Sequence, residues 1–218
     1  MRLAIGDIHG RSFWKHYLDE DYTEYYILGD YFDSFDIPFK VQLKNFLEIT
    51  EVACRDTRIK LCWGNHDFHY FLNDPRERYS GYQNNYAQKI YETLCSHKKL
   101  LNVVYTTEDN ILISHAGISN TFLREAELNA PEDINSAFAK NPAILSFNGV
   151  EPYGDEIQQG PLWIRPNSLI SDACKGYSQI VGHTVIREIT TIELDEAHNK
   201  GCTITFIDTH DRESIYRF

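Results

Sequence analysis

Short apolar runs recur along the chain, and each ends at a glycine or serine that is followed by a side chain able to bind a metal ion. Runs of this length bounded by glycine indicate buried strands. In open α/β sheets, sites form just beyond the carboxyl ends of the strands. We therefore expect the five side chains that follow these runs to converge. They are Asp7, Asp30, Asn65, His115 and His183.

Segments with helical spacing separate the predicted strands. The clearest is residues 38–54, where apolar residues recur near a helical period after a proline suited to a first turn. Those apolar residues are Phe39, Leu43, Phe46, Leu47 and Val52. Further helices are predicted at residues 11–19, 82–97, 119–128 and 132–140, and strands at about 178–182, 186–193, 202–208 and 213–217. This order predicts a single α/β domain over residues 1–218, a two-sheet sandwich flanked by helices (αββα) with the site at the strand carboxyl ends.

Composition narrows the classes of function. The net charge of −11 argues against a general nucleic-acid binder, which needs basic residues to displace counterions. It does not exclude a phosphate substrate, because two divalent ions would dominate the local field. Five cysteines without a CxxC pair make a disulfide framework or a thiolate zinc site unexpected. No signal peptide or apolar run of about 18 residues is found, so we predict a cytoplasmic protein without membrane contact.

The residues at the strand ends suit a site for hard or borderline metal ions. Asp7 and His9 stand two positions apart, and such side chains can point the same way beyond a strand. The Asp30 carboxylate has two oxygens and can bridge two ions. Asn65 adds a neutral oxygen, and the adjacent His66 can face a substrate. Turn chemistry explains any one of these residues alone, but five such strand ends in order are not expected by chance.

Five motifs carry a resemblance to a known family. GDIHG, GDYFD, GNHD, SHAG and GHT, in this order, resemble the phosphoprotein phosphatase branch of the calcineurin-like metallophosphoesterases. The chain is similar in length to the small bacterial and phage serine/threonine protein phosphatases of this branch. The resemblance implies two divalent ions, with Mn²⁺ expected and iron, zinc, cobalt or nickel also compatible. It assigns Asp7 and His9 to the first ion, Asp30 to both, and Asn65, His115 and His183 to the second.

The same resemblance implies the catalytic residues. His66 would be the general acid for the leaving group, and Asp33 would orient it. Arg165, in a segment similar to the LWxR segment of the bacterial members, would contact the phosphate. The implied function is hydrolysis of a phosphorylated substrate, a phosphoprotein or small phosphate ester, by a phosphomonoesterase most similar to a serine/threonine protein phosphatase.

Two departures from the family pattern keep alternatives open. Ser34 stands where the protein phosphatases carry a phosphate-binding arginine, and Asp67 stands where they carry glutamate. The loss of a two-pronged donor is compatible with a phosphodiesterase or a dinucleoside-polyphosphate hydrolase. A descendant that binds a metal or a partner without turnover is the third hypothesis. The sequence gives no role for His210 and no oligomeric state.

Several aromatic residues lie near the motifs without an assigned role. His69 and His210 are further histidines that can approach the site. Tyr79, Tyr82 and Tyr86 are predicted to pack in the core or on the surface.

Overall fold

The chain folds into two compact units, each built around its own five-stranded sheet. The computed structural model describes residues 1–18, 20–150, 154–195, 199–209 and 214–218. One unit comprises Met1–Asn102 and Asp211–Phe218, and the other comprises Val103–His210. His198 and His210 lie outside the described residues.

The sheet of the first unit is mostly parallel. Its strands are β1 (Arg2–Ile5), β2 (Glu24–Ile27), β3 (Ile59–Cys62), β4 (Leu101–Asn102) and β10 (Ile215–Arg217). The order is β10-β1-β2-β3-β4, and only β10 runs antiparallel to its neighbour. Because β1, β2 and β3 are parallel neighbours, their carboxyl ends lie along one edge of this sheet.

In the first unit, the described residues form three α-helices: α1 (Phe39–Arg55), α2 (Asn65–Leu72) and α3 (Ala87–His97). Helix α1 was predicted, but its buried face differs from the prediction. Phe46, Ile49 and Ala53 are buried at helical spacing, whereas Leu47 is 41% exposed. Pro38 precedes α1 rather than forming its first turn.

The second unit has a mixed sheet and three more helices. Its strands are β5 (Val104–Thr106), β6 (Ile111–Ser114), β7 (Ser178–Val181), β8 (Thr190–Glu193) and β9 (Thr203–Phe206), in the order β5-β6-β7-β9-β8. The central strands β6, β7 and β9 are parallel, and both outer strands are antiparallel. The helices are α4 (Asn120–Glu125), α5 (Asp133–Lys140) and α6 (Pro166–Asp172).

The predicted α/β class with two sheets and flanking helices is confirmed. The helix predicted at residues 11–19 forms as a short 3-10 helix, Phe13–Tyr17, and no side chain caps its start. Ser119 caps α4 as predicted, accepting a hydrogen bond from Phe122 N at 2.9 Å. Among the described residues, no helix combines the length and apolar character that crossing a membrane requires.

Candidate metal centre

Three candidate ligands of the first unit follow adjacent parallel strands. Asp7, Asp30 and Asn65 come shortly after β1, β2 and β3, and their exposed fractions are 6%, 2% and 4%. Carboxylate oxygens of Asp7 and Asp30 lie within 4.8 Å of each other. Two buried carboxylates this close repel each other unless a cation compensates them, so the pair favours a positively charged ligand.

His9 is oriented toward this carboxylate pair by the backbone. Its Nδ1 lies 2.7 Å from the carbonyl oxygen of Phe32, which can only accept, so Nδ1 carries the proton. Its Nε2 lies 3.7 Å from Asp30 Oδ2. A histidine that donates one ring N–H to a carbonyl and presents the other nitrogen beside a carboxylate has the arrangement found in metal sites.

The Asp30 side chain packs closely against the start of helix α2. Its Oδ1 accepts a hydrogen bond from His66 N at 2.9 Å. Gly64 precedes the helix, and a Cβ at this position would collide with the Asp30 carboxylate and backbone nitrogen. The loop after β2 can therefore approach the loop after β3 only because residue 64 has no side chain.

The Asp67 side chain accepts hydrogen bonds from the backbone of both loops. Its Oδ1 accepts from Tyr31 N at 2.9 Å and its Oδ2 from Gly64 N at 3.1 Å. The side chain is fully buried. Burial and the nearby Asp30 carboxylate raise the pKa of Asp67 well above its ordinary value. Both oxygens face backbone donors, so the aspartate that departs from the family pattern is a structural tie.

His66 and Asp33 are in contact, as expected for a general acid whose imidazole is oriented by a carboxylate. His66 Nδ1 lies 3.1 Å from Asp33 Oδ2. Burial lowers the pKa of His66, but the carboxylates of Asp30 and Asp33 outweigh it and raise this pKa to about 9. Burial raises the pKa of Asp33, yet its contacts with His66 and His69 bring it below the ordinary value. An imidazolium beside a carboxylate is the preferred ionisation state of this pair.

Three further side chains hold Asp33, and sequence reasoning missed two of them. Tyr70 donates its hydroxyl to Oδ1 at 2.5 Å, and Gln83 donates Nε2 to the same oxygen at 3.2 Å. His69 Nε2 lies 2.7 Å from Oδ2, although its N–H does not point squarely at that oxygen. The sequence predicts only that His69 can approach the site, and nothing local points to Tyr70 or Gln83.

Ser34 is occupied within its own loop. Its hydroxyl donates to Asp36 Oδ1 at 2.6 Å and accepts from Ile37 N at 3.2 Å. Arg11 NH2 lies 3.8 Å from the same Asp36 oxygen. Ser34 therefore caps a turn where the protein phosphatases carry an arginine.

The second unit brings its three predicted residues to neighbouring positions. His115 and His183 follow the parallel strands β6 and β7, and His183 Nδ1 lies 3.2 Å from His115 Nε2. Their rings meet edge to face with centroids 5.0 Å apart. Arg165 immediately precedes α6 and donates from NH1 to Thr184 Oγ1 at 3.2 Å, beside His183.

The donors of each unit fit divalent ions. Two nitrogens bound tetrahedrally at about 2.0–2.1 Å would lie roughly 3.3 Å apart, which agrees with the spacing of His115 and His183. The first unit supplies carboxylate and amide oxygens with one imidazole. This mixture of oxygen and nitrogen donors without thiolate suits manganese, iron, cobalt or zinc and does not select among them.

Comparison with known proteins identifies the family. The sequence model of the calcineurin-like phosphoesterases matches residues 2–187, so the chain belongs to this family. The family resemblance predicted from the five motifs is confirmed. Membership makes the protein a hydrolase of phosphate esters and implies a dimetal centre. No match was found among the curated proteins.

Solved structures share the fold at low identity. One is a cold-active protein-tyrosine phosphatase of a psychrophilic Shewanella species, with 17% identity, a TM-score of 0.55, and coverage of 96% of this chain and 71% of that one. Another is a protein serine/threonine phosphatase from Saccharomyces cerevisiae, with 15% identity, a TM-score of 0.52, and coverage of 95% and 67%. At these identities the likeness concerns the fold alone.

Proposed function

We propose that the protein is a phosphomonoesterase of the protein-phosphatase type, acting on a phosphoprotein or small phosphate ester. The observation that carries this proposal is the pair formed by His66 and Asp33, with nitrogen and oxygen 3.1 Å apart. A protonated histidine supports cleavage of an unactivated alkoxide, which leaves poorly unless it receives a proton. The phosphatase names of the structural neighbours are consistent with this substrate class.

The family resemblance assigns six residues to two ions. Asp7 and His9 would hold one ion, Asp30 would contact both, and Asn65, His115 and His183 would hold the other. We expect Mn²⁺ in the cytoplasm, with iron, zinc, cobalt or nickel as possible substitutes. The chemistry that two such ions supply when bound is activation of water near neutral pH and neutralisation of charge on the phosphate.

The chain's own residues carry the remaining steps. His66 donates its proton to the leaving oxygen, and Asp33 keeps the imidazole in the rotamer and tautomer that this transfer requires. Divalent ions on Asp30 would offset its charge, which leaves Asp33 as the main carboxylate that favours protonated His66. Arg165 supplies a planar, two-pronged donor for phosphate oxygens.

A second candidate function is hydrolysis of phosphodiesters or dinucleoside polyphosphates. The observation that favours it is Ser34, whose hydroxyl is bound within its own turn and offers no charged donor. A singly charged diester depends less on a second arginine than a doubly charged monoester does. A non-catalytic, metal-binding or partner-binding role is the third candidate, and the protonatable His66 beside Asp33 argues against it.

One assay separates these functions. Metal-free protein is reloaded with Mn²⁺, and in parallel with iron, zinc, cobalt or nickel. Each form is offered p-nitrophenyl phosphate, bis-p-nitrophenyl phosphate, a phosphoserine peptide and a dinucleoside tetraphosphate. Faster turnover of the two monoesters supports the proposal. Faster turnover of the diester or the dinucleotide favours the second function. No turnover with any of the five metals would support the non-catalytic role.

A further inference from the structure

Asp33 has more partners than an acid–carboxylate pair requires. Its Oδ1 accepts from Tyr70 and Gln83, and its Oδ2 faces both His66 and His69. A carboxylate has about four acceptor positions, and three of them take hydrogen bonds from Tyr70, Gln83 and His66. His69 is the unusual member, because it places a second, fully buried imidazole on the oxygen that orients His66.

The backbone of the next loop defines how His69 is protonated. Tyr79 N donates to His69 Nδ1 over 3.5 Å, which leaves the proton of a neutral ring on Nε2. That nitrogen is the one 2.7 Å from Asp33 Oδ2. Ligand atoms of Asp33, His66 and His69 lie within 4.8 Å of each other, a spacing that also suits a metal ion. The proton on Nε2 opposes metal binding and favours contact with the carboxylate instead.

We propose that His69 is a positioning residue that fixes Asp33 so that His66 is held in the orientation for proton donation. The proposal rests on the proposed function, because it assigns His69 a role only through the acid His66. Helical geometry makes it possible: His66 and His69 stand three positions apart on α2, so their side chains lie on one face and can meet one carboxylate.

Aromatic packing keeps His69 in place. The Tyr82 ring meets His69 edge to face at 5.0 Å and stacks on Tyr70 at 4.5 Å. Gly81 lies against Asp33, and a Cβ there would come within 2.9 Å of Asp33 Cβ. A positioning residue needs a rotamer fixed by its surroundings, and the ring of Tyr82 restricts that of His69.

The test compares His69→Phe, which keeps ring volume without a donor, with His69→Gln, whose amide can restore one. Both variants are loaded with Mn²⁺ and assayed on two substrates. The phosphoserine peptide has a poor leaving group, and p-nitrophenyl phosphate has a good leaving group. We expect His69→Phe to lower kcat on the peptide roughly tenfold more than on the activated ester, a part of the ~10²–10⁴-fold contribution of general acids. His69→Gln should recover part of this loss, with KM unchanged.

Two measurements separate a positioning role from a structural one. Metal content should stay at the wild-type level in both variants. His97→Gln is the matched control, since His97 lies on α3, where its Nδ1 bonds Thr93 O at 2.8 Å and its ring meets Phe46 edge to face. It should leave turnover on both substrates unchanged. If His69→Phe does not fold, His69→Asn takes its place, because its amide is too short to reach Asp33.

His66→Asn makes the two proposals distinguishable. If His66→Asn loses turnover selectively on the peptide and His69→Phe adds no further loss in its background, both proposals are supported. Suppose that His66→Asn loses turnover mainly on the peptide. If His69→Phe then lowers turnover on both substrates equally, or still lowers it when His66 is absent, the positioning role of His69 is wrong, whereas the acid assignment of His66 stands. If His66→Asn itself shows no selectivity, the acid assignment fails and the inference fails with it.

Discussion

Asp67→Asn tests whether the tie between the loops after β2 and β3 is needed for stability. The substitution leaves one acceptor oxygen and turns an amide NH2 toward either Tyr31 N or Gly64 N, both of which are donors. One of the two hydrogen bonds to the carboxyl group is lost, and a buried backbone donor remains unsatisfied. An unsatisfied buried donor costs about 1–3 kcal/mol, so we expect a loss of that size in the free energy of unfolding.

Urea unfolding followed by tryptophan fluorescence measures this loss. Trp14 and Trp63 are both buried in the same unit as Asp67 and report on it. With an m-value of about 2 kcal/mol/M, the midpoint should fall by roughly 1 M. Asp56→Asn is the control, since Asp56 also accepts a backbone N–H, from Arg58 at 3.0 Å, but at an exposed position. Its midpoint should shift by less than about a quarter as much.

An Asp67→Asn variant that unfolds at the wild-type midpoint would contradict this prediction. That result would mean that Tyr31 N and Gly64 N find other partners at no cost, and that the aspartate is not the tie between the loops. Asp67→Glu separates side-chain length from the number of acceptor oxygens. It keeps both carboxyl oxygens but adds a methylene to a fully buried site, so we expect an intermediate midpoint.

Three further substitutions test the candidate site. Asp30→Asn should leave less than one ion bound after dialysis, because this residue is proposed to hold both, and two retained ions would contradict the bridge. Gly64→Ala should also lose metal, since its Cβ collides with the Asp30 carboxylate, and wild-type metal content would show that the loops can separate. Asp33 has a folded pKa below its ordinary 3.8, so it stabilises the metal-free fold above that pH and loses this effect as the pH falls through the folded value. Asp33→Asn should therefore reduce the acid dependence of the thermal midpoint, and an unchanged dependence below about pH 4 would count against the shift.

The strand ends could be predicted because their signals are local. Each of the five apolar runs became a strand, and each is followed by the predicted side chain. Helix α2 was missed, since GNHD was interpreted only as a motif, although Asp67 accepting the Gly64 N–H marks a helix start. Helix α6 was missed in a similar way, because Arg165 was considered only as a phosphate contact. Functional motifs can hide the structural signals of the same residues.

The support around Asp33 could not be predicted from spacing. Gln83 is 50 positions away from Asp33 and lies in a loop without periodicity. Tyr82 and Tyr79 were predicted to pack, and they do so around His69 rather than in a general core. Long-range contacts of loop side chains depend on the path of the backbone, and composition gives no signal for that path.

Backbone conformation adds an argument that no sequence pattern contains. Four of the predicted site residues have left-handed φ angles: His9 at 42°, Asp30 at 52°, Asp33 at 65° and His183 at 63°. Elsewhere in the described chain, the non-glycine residues with positive φ are Asn73, Asn110, Glu127 and Asn199. Three of these four are asparagine, which tolerates the left-handed region better than most residues do.

A left-handed histidine costs about 1–3 kcal/mol and persists only where the surroundings enforce it. Glycine would remove that cost at His9 and His183, and it would also remove the imidazole. At His9 the conformation is held by the bond from His9 N to Asp30 O at 2.6 Å and by the contact of Nδ1 with Phe32 O. The strained backbone is therefore retained where the side chain is needed, which supports the assignment of these residues to the metal centre independently of the motifs.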